Sequence, residues 1–318
     1  MSGNEKIAVL MGGRSLEREV SLVSGKRVAE ALAERGYRVL ALDVTPDLVE
    51  TLRTERPDAC YIALHGKYGE DGTIQELLEF LGIPYTGPGV TASALAWDKS
   101  VAKRLFAEAD IPTPPWITLT SDAFKEMGAA TALDLVPDAV GVFPLVVKPS
   151  KQGSALGLTR VPSAGELPEA LLSAFSFGEA AIVERWVEGT ELAVSVLDID
   201  GEPVVLPPVE IVAKSGLFDF SAMYTAGETD YYVPARLAEA TMAEVVRLAR
   251  EVHMLLGCRD VSRADMVVDA DGGVWVLECN TSPGMTETSL LPMAAAERDM
   301  SFQDVVEQIV RAALNRRG

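Results

Sequence analysis

The chain has 318 residues, 48% apolar and 24% charged, a balance suited to a globular protein with room for two or three compact units. Its net charge of -19 argues against a general nucleic-acid surface or an anionic membrane partner, so a phosphate ligand must be held by local lysines, backbone N–H groups or metal. No apolar run reaches membrane-span length, the N-terminal stretch is too short and wrongly flanked for a signal peptide, and three scattered cysteines (Cys60, Cys258, Cys279) suit reduced thiols in a cytoplasmic setting.

Residues 6–11 read as a buried strand, Gly12-Gly13 as a turn, and Leu16 to Arg35 as a helix. Strands at 37–44 and 59–64 and a helix from Ile74 to Leu81 follow. Strands alternating with helices predict a parallel α/β unit. Residues 89–110 predict helix, and Ile111-Pro112-Thr113-Pro114-Pro115 cannot continue one, so the first unit is expected over 1–110. Strands at 116–119, 142–148, 158–161 and 181–187, with helical segments at 121–132 and 164–174, predict a second unit over 111–188. The third, 189–318, opens with a nearly continuous β pattern over 191–197 and closes with helices at 236–255 and 302–314. Residues 214–233 lack a clear period and predict a long loop, a common form for a functional lid.

The densest chemical signal is Arg263-Ala264-Asp265 facing Glu278-Cys279-Asn280 across a predicted hairpin. With Asp271 and Gly272 as a two-residue turn, Asp265 pairs with Glu278 and Arg263 with Asn280, all four on one sheet face. Two opposed carboxylates repel, and a hard divalent cation turns that repulsion into a binding site. Alternatively, Arg263 neutralises one acid and water the other. On this fragment alone both readings stand.

Five further segments each carry a functional and a plain reading. Gly12-Gly13 with Ser15, Glu17 and Glu19 could form an anion or substrate pocket at the end of a sheet, or be a turn with ordinary first-turn acids. His65 to Gly72 follows the third strand, where α/β ligands sit, yet a lone loop His more often just hydrogen-bonds. Lys148 to Gly157 combines glycines, hydroxyls and Lys151 in a loop able to wrap phosphate oxygens, or is a surface hairpin tip. Glu184 and Glu191 flank a bend and could accept from an exocyclic amine and a sugar hydroxyl, or be solvated linker acids. Finally, Gly284 could expose an N–H and Ser289 sits near a helix start, both suited to a carboxylate or oxyanion, with a simple Pro-Gly turn as the alternative.

Taken in order, these segments resemble one family closely, the D-alanine–D-alanine ligases of the ATP-grasp superfamily. The resemblance spans nearly the whole length and rests on Gly12-Gly13 with Ser15 and Glu17, the His65–Gly72 loop, Asp98-Lys99, Lys148-Pro149, Gly153-Ser154, Glu184 to Glu191, and Arg263-x-Asp265 with Glu278 to Met285. It implies an α/β, three-domain ATP-grasp architecture with ATP between the central and C-terminal domains. The implied activity is ATP-dependent ligation of two D-alanines through an acyl phosphate, for peptidoglycan precursor synthesis, with a D-alanine–D-lactate or other carboxylate–amine ligase as the alternative.

The resemblance also implies roles at matching positions. Lys99, Lys148, Lys151 and Gly153 would approach ATP, Glu184 with the backbone at Trp186 and Val187 would read adenine, and Glu191 the ribose. Asp265, Glu278 and Asn280 would hold two Mg2+ (or Mn2+) ions, with a monovalent cation such as K+ left open. Glu17 would anchor the first D-alanine's ammonium beside His65, and Ser154 and Tyr224 would bond with Glu17 and close the site. Arg263 and the Gly284 N–H would stabilise the oxyanion, while Ser289 and the Leu290 backbone would take the second carboxylate. The implied partners are ATP, two D-alanines and a second copy of the chain in a homodimer, with no nucleic acid or membrane. Two positions depart from the family pattern: Met223 stands where the lid carries a lysine, and Ala155 where the central loop carries a second serine.

Overall fold

A computed structural model describes residues 4–225 and 227–316, without the side chains at 127, 129, 130, 132–134, 221 and 224. The chain builds three sheets. In the first, β1 (Lys6–Met11) lies between β2 (Arg38–Asp43) and β3 (Ala59–Ile62), all parallel. Alternate residues of β1 enter two cores: Ile7, Val9 and Met11 meet Val28 and Leu32 of α1 (Arg18–Glu34), whereas Ala8 and Leu10 meet Leu48 and Leu52 of α2 (Leu48–Glu55) and Leu78 of α3 (Thr73–Leu81). Burial on both faces is why this strand reads as an unbroken apolar run. The predicted helix at 89–110 is two helices, α4 (Val90–Trp97) and α5 (Lys99–Glu108). Extended backbone at Asp98 breaks it, and the Asp98 side chain caps α5 by accepting from Ser100 N.

The second sheet is antiparallel, in the order β4 (Trp116–Thr120), β7 (Ala180–Arg185), β5 (Leu145–Pro149), β6 (Thr159–Val161). Helices α6 (Ser121–Met127), α7 (Ala129–Val140) and α8 (Leu167–Phe175) accompany it. Gly128, at φ +76°, separates α6 from α7, where a single helix was predicted.

The third sheet is also antiparallel and runs β11 (Thr229–Tyr232), β10 (Val209–Ala213), β8 (Gly189–Ile199), β12 (Val261–Asp269), β13 (Val274–Asn280), with β9 (Glu202–Val205) on β8. Helix α10 (Glu239–Leu255) covers one face, Val245, Leu248 and Val252 meeting Leu192, Val194 and Val276. Helices α11 (Leu290–Ala296) and α12 (Phe302–Asn315) return to the first unit, where Leu291, Ile309 and Val310 share a core with β1. The stretch 214–233 is not all loop. It contains a short helix, α9 (Phe220–Tyr224), and strand β11 pairs with β10 from Glu210↔Tyr232 to Ala213↔Thr229. Four residues of Thr, Asp and Tyr at a sheet edge are too few and too polar to show a period.

The β12–β13 hairpin reaches the expected pairing by an unexpected route. Its turn has three residues, not two: Asp269 N donates to Gly273 O, Gly272 N donates to Asp269 O, and Gly272 has φ +84°. That turn alone would shift the register by one. A β-bulge at Leu277 shifts it back, so Met266 faces Val276 while Asp265 faces Glu278 and Arg263 faces Asn280. The bulge also turns Leu277 and Glu278 toward the same cleft.

Candidate active site

The cleft between the second and third sheets, closed at one end by loops of the first unit, encloses about 1370 Å³ of empty space, open solvent included. Glu17, His65, Lys99, Lys148, Gly153, Ser154, Glu184, Trp186, Val187, Glu191, Arg263, Asp265, Glu278, Asn280 and Gly284 all line it. These are residues spread over nearly the whole sequence.

On the hairpin floor, Arg263 grips Asp265 with two bonds, Nε to Oδ1 and Nη2 to Oδ2, each 2.7 Å. Asn280 Nδ2 donates to Asp265 Oδ2 at 2.9 Å, and Lys99 Nζ stands 3.3 Å from Glu278 Oε2. Burial pushes the Asp265 carboxyl above its usual range against the pull of Arg263, and the neighbouring Glu278 charge adds to the rise. Burial works the same way on Glu278, but Lys99, Lys148 and Arg263 together hold it below its usual range. Among the described residues no group of three or more His, Cys, Asp or Glu side chains gathers to cage a metal. Two carboxylates and an amide oxygen suit instead a hard cation that completes its shell with phosphate oxygens and water, which is Mg2+ behaviour.

Glu17 sits at the start of α1, buried, between glycines of two different units. A Cβ on Gly66 would stand 2.2 Å from its Oε2, and one on Gly153 would stand 2.8 Å from both carboxylate oxygens. Ser154 Oγ donates a short hydrogen bond to Oε1. Burial raises the Glu17 carboxyl, with Ser154 and Lys99 opposing. His65 donates from Nδ1 to Ser282 O at 3.1 Å, which leaves Nε2 to accept from Ser24 Oγ at 3.0 Å while that hydroxyl accepts from Met285 N. Burial, reinforced by Arg263, lowers this imidazole to about 4, so it is neutral near pH 7.

At the opposite end, Lys148 Nζ lies 2.5 Å from Glu184 Oε1. The Trp186 indole donates to Glu188 Oε2 and lies under the Arg160 guanidinium, 5.0 Å from ring centroid to Cζ. Glu191 is raised to about 7 by burial and by Asp265. The loop of Gly153 is tied down from the first unit: Lys99 Nζ donates to Gln152 O, and the Asp98 carboxylate accepts from Ser150 Oγ.

Three expected residues stand apart from the cleft lining. Lys151 pairs with Asp98 at 3.2 Å and its side chain is 58% exposed, so in this conformation it is turned to solvent. The Ser289 hydroxyl packs beneath Gly284, where a Cβ would meet it at 2.7 Å, and accepts from Thr286 N; Leu290 is buried at the start of α11. The Tyr224 side chain lies outside the described residues, and its backbone ends α9. Sequence reasoning missed two buried groups. Glu70 accepts from Gly66 N in the cleft wall, its carboxyl raised by burial and by Glu17 to about 8. Lys103 is fully buried behind Glu184. A signal for Lys103 existed: Lys99, Ala102, Lys103 and Phe106, the buried residues of α5, follow the spacing of an apolar helix stripe, so its two lysines point inward.

Residues 105–311 match the family model "D-ala D-ala ligase C-terminus", and residues 6–51 and 48–88 match "D-ala D-ala ligase N-terminus". The D-alanine–D-alanine ligase of Pelotomaculum thermopropionicum is 44% identical over 314 residues, covering 98% of this chain and 98% of the relative. That of Carboxydothermus hydrogenoformans is 42% identical over 313 residues, covering 98% and 99%. A crystal structure of the Bacillus anthracis D-alanine–D-alanine ligase complexed with ATP superposes with a TM-score of 0.80 at 30% identity, covering 98% of each chain.

Proposed function

The chain belongs to the D-alanine–D-alanine ligase family, and from that premise we propose that it joins two D-alanines into D-alanyl-D-alanine, turning ATP into ADP and phosphate. The observation that carries this reading is the meeting of Glu17, clamped by glycines of two loops, with the acid-floored hairpin in one cleft. A module that only stores nucleotide has no use for a buried carboxylate beside its phosphate loop.

A carboxylate is a poor electrophile and needs activation. The carboxylate of the first D-alanine attacks the γ-phosphorus and ADP departs, leaving an acyl phosphate; the amine of the second then attacks the acyl carbon and phosphate departs. Glu17 pairs with the first ammonium, His65 beside it stays neutral, and Ser154 with Tyr224 closes the triangle. Lys99 and Lys148 lie along the phosphates, with Gly153 leaving room for close approach and Lys151 swinging in from Asp98. Glu184 and the backbone at Trp186 and Val187 read adenine, and Glu191 reads the ribose. Arg263 and the Gly284 N–H face the developing oxyanion, and Ser289 with the Leu290 N–H takes the second carboxylate. Asp265, Glu278 and Asn280 are the residues that would hold Mg2+ or Mn2+, whose charge neutralises the phosphates during transfer. Phe218 and Met223 line the same cleft, and with 214–233 as a lid they keep water from the acyl phosphate. The three units 1–110, 111–188 and 189–318 supply substrate loops, phosphate loop and metal floor in turn.

Among the described residues no helix is long and apolar enough to cross a membrane. We place the enzyme in the cytoplasm as a homodimer supplying peptidoglycan precursors. The test is ADP release with ATP, Mg2+ and a panel of D- and L-amino acids and D-lactate. Release with D-alanine and a dipeptide product by mass spectrometry is expected, and none with D-alanine would sink the reading.

A further inference from the structure

Glu184 is one carboxylate held by two buried lysines. Lys148 reaches Oε1 from the cleft side, and Lys103 reaches Oε2 at 2.9 Å from behind the lining residues. Lys103 has no exposed surface. Its Nζ donates to Thr113 Oγ1 at 2.5 Å, and that hydroxyl donates onward to Val276 O at 2.8 Å, so a tether from β13 fixes the ammonium in place. The Trp116 ring, 5.2 Å away at its centroid, adds a cation–π contact.

Burying a second lysine completely is expensive. Lys148 pairs with Glu184 but is also drawn to the nearby Glu278 and Asp265, so it does not answer Glu184 alone. The two lysines differ in one respect: Lys148 faces the ligand and is drawn to its phosphates, whereas Lys103 cannot leave. Glu184 Oε2 takes one contact, from Lys103 at 2.9 Å, and a carboxylate oxygen can accept a second, so it retains capacity for a donor.

We propose that Lys103 is a positioning residue that keeps Glu184 an ionised, accept-only carboxylate, and so selects a purine with an exocyclic amine over one with a carbonyl at that position. This rests on the reading of Glu184 as the purine contact. An ionised carboxylate only accepts hydrogen bonds, whereas a protonated one can donate to a carbonyl. Burial works to raise the Glu184 carboxyl, and Lys103 and then Lys148 hold it down at about 2. With Lys103 gone and Lys148 turned to the phosphates, burial prevails and Glu184 takes up a proton.

The experiment compares kcat/KM for ATP and for inosine triphosphate, which carries the carbonyl, by ADP or IDP release at saturating D-alanine. In Lys103→Met the ATP-to-inosine-triphosphate ratio is expected to fall by about tenfold or more, with the KM for D-alanine within about twofold of wild type. Lys103→Arg restores most of the ratio. An unchanged ratio, or equal losses on both nucleotides, overturns the proposal, because a merely structural role weakens both alike. Should Lys103→Met fail to fold, Lys103→Gln keeps a polar head beside Thr113 without the charge and faces the same two outcomes. A wild-type protein that releases no diphosphate from either nucleotide overturns the ligase reading itself, and this proposal with it.

Discussion

The two ends of the cleft handle charge in opposite ways. At the end of Glu184 two lysines stand against that one carboxylate, which is held down at about 2, although Lys148 also acts on Glu278. At the other end Glu17, Glu70, Asp265 and Glu278 share Lys99 and Arg263, and three of the four carboxyls are pushed upward. A neutral purine needs polar groups that are already balanced, because it brings no charge to balance them. An ammonium group and a divalent cation need the reverse, since the surplus of buried negative charge is what binds them. The difference matches the proposed ligands: an uncharged base beside a carboxylate already paired by lysines, and cations where carboxylates are in surplus.

Removing one surplus acid is the severest way to break this contrast. Glu278→Gln leaves Lys99 without its carboxylate and takes half the negative charge from the Asp265–Glu278 floor. Turnover is expected to fall by about a thousandfold or more, with far-UV circular dichroism unchanged. Activity near wild type would mean that the acid pair serves the fold and not the phosphates. Glu17→Gln should act next most strongly and on one substrate only. Loss of the charge proposed to meet the first ammonium is expected to lower kcat/KM for D-alanine by about a hundredfold while the KM for ATP stays within about twofold. Parallel losses on both substrates would show that the two ends are not independent.

How much of this was legible in the sequence differs along the cleft. The acid pair was legible, although through two deviations that cancel: the turn is one residue longer than the Asp-Gly signal suggests, and the bulge at Leu277 removes the offset. A bulge leaves no local mark, because Leu277 would suit a plain strand equally well. Strand β1 was legible because burial on both faces leaves an unbroken apolar run, while β11 was not, being four residues at an exposed edge. The clamp on Glu17 was hidden for a different reason. Gly66 and Gly153 lie far apart in sequence, and only the folded chain shows that both must lack a Cβ to approach the same carboxylate. Lys103 was hidden by expectation, since a lysine on a helix is ordinarily solvated.

The smallest effect sharpens the contrast without touching catalysis, through the pH dependence of stability in the ligand-free protein. Glu70 has its carboxyl at about 8 in the folded chain, against an ordinary 4.5, through burial and the nearby Glu17. A raised carboxyl makes the folded state bind the proton that the unfolded chain has released, so its contribution is full below the ordinary value and drains away as pH rises toward about 8. Between about pH 6 and about pH 8 the loss approaches roughly 1.4 kcal/mol per pH unit, which is a few degrees in melting temperature. Glu184 does not contribute in this window, since a depressed carboxyl loses its stabilisation only as pH falls toward about 2. His65, lowered to about 4, gives stability that grows as pH rises to its ordinary value of 6.5 and is then complete. That term is common to any pair of proteins differing only at Glu70, so it cancels in their difference. Glu70→Gln keeps an acceptor for Gly66 N but cannot ionise. Its melting temperature should therefore decline less than wild type across that range, the two curves converging toward the acid side. Parallel curves would mean that Glu70 is ionised throughout, and that the surplus charge at this end is larger by one than the burial of its carboxyl implies.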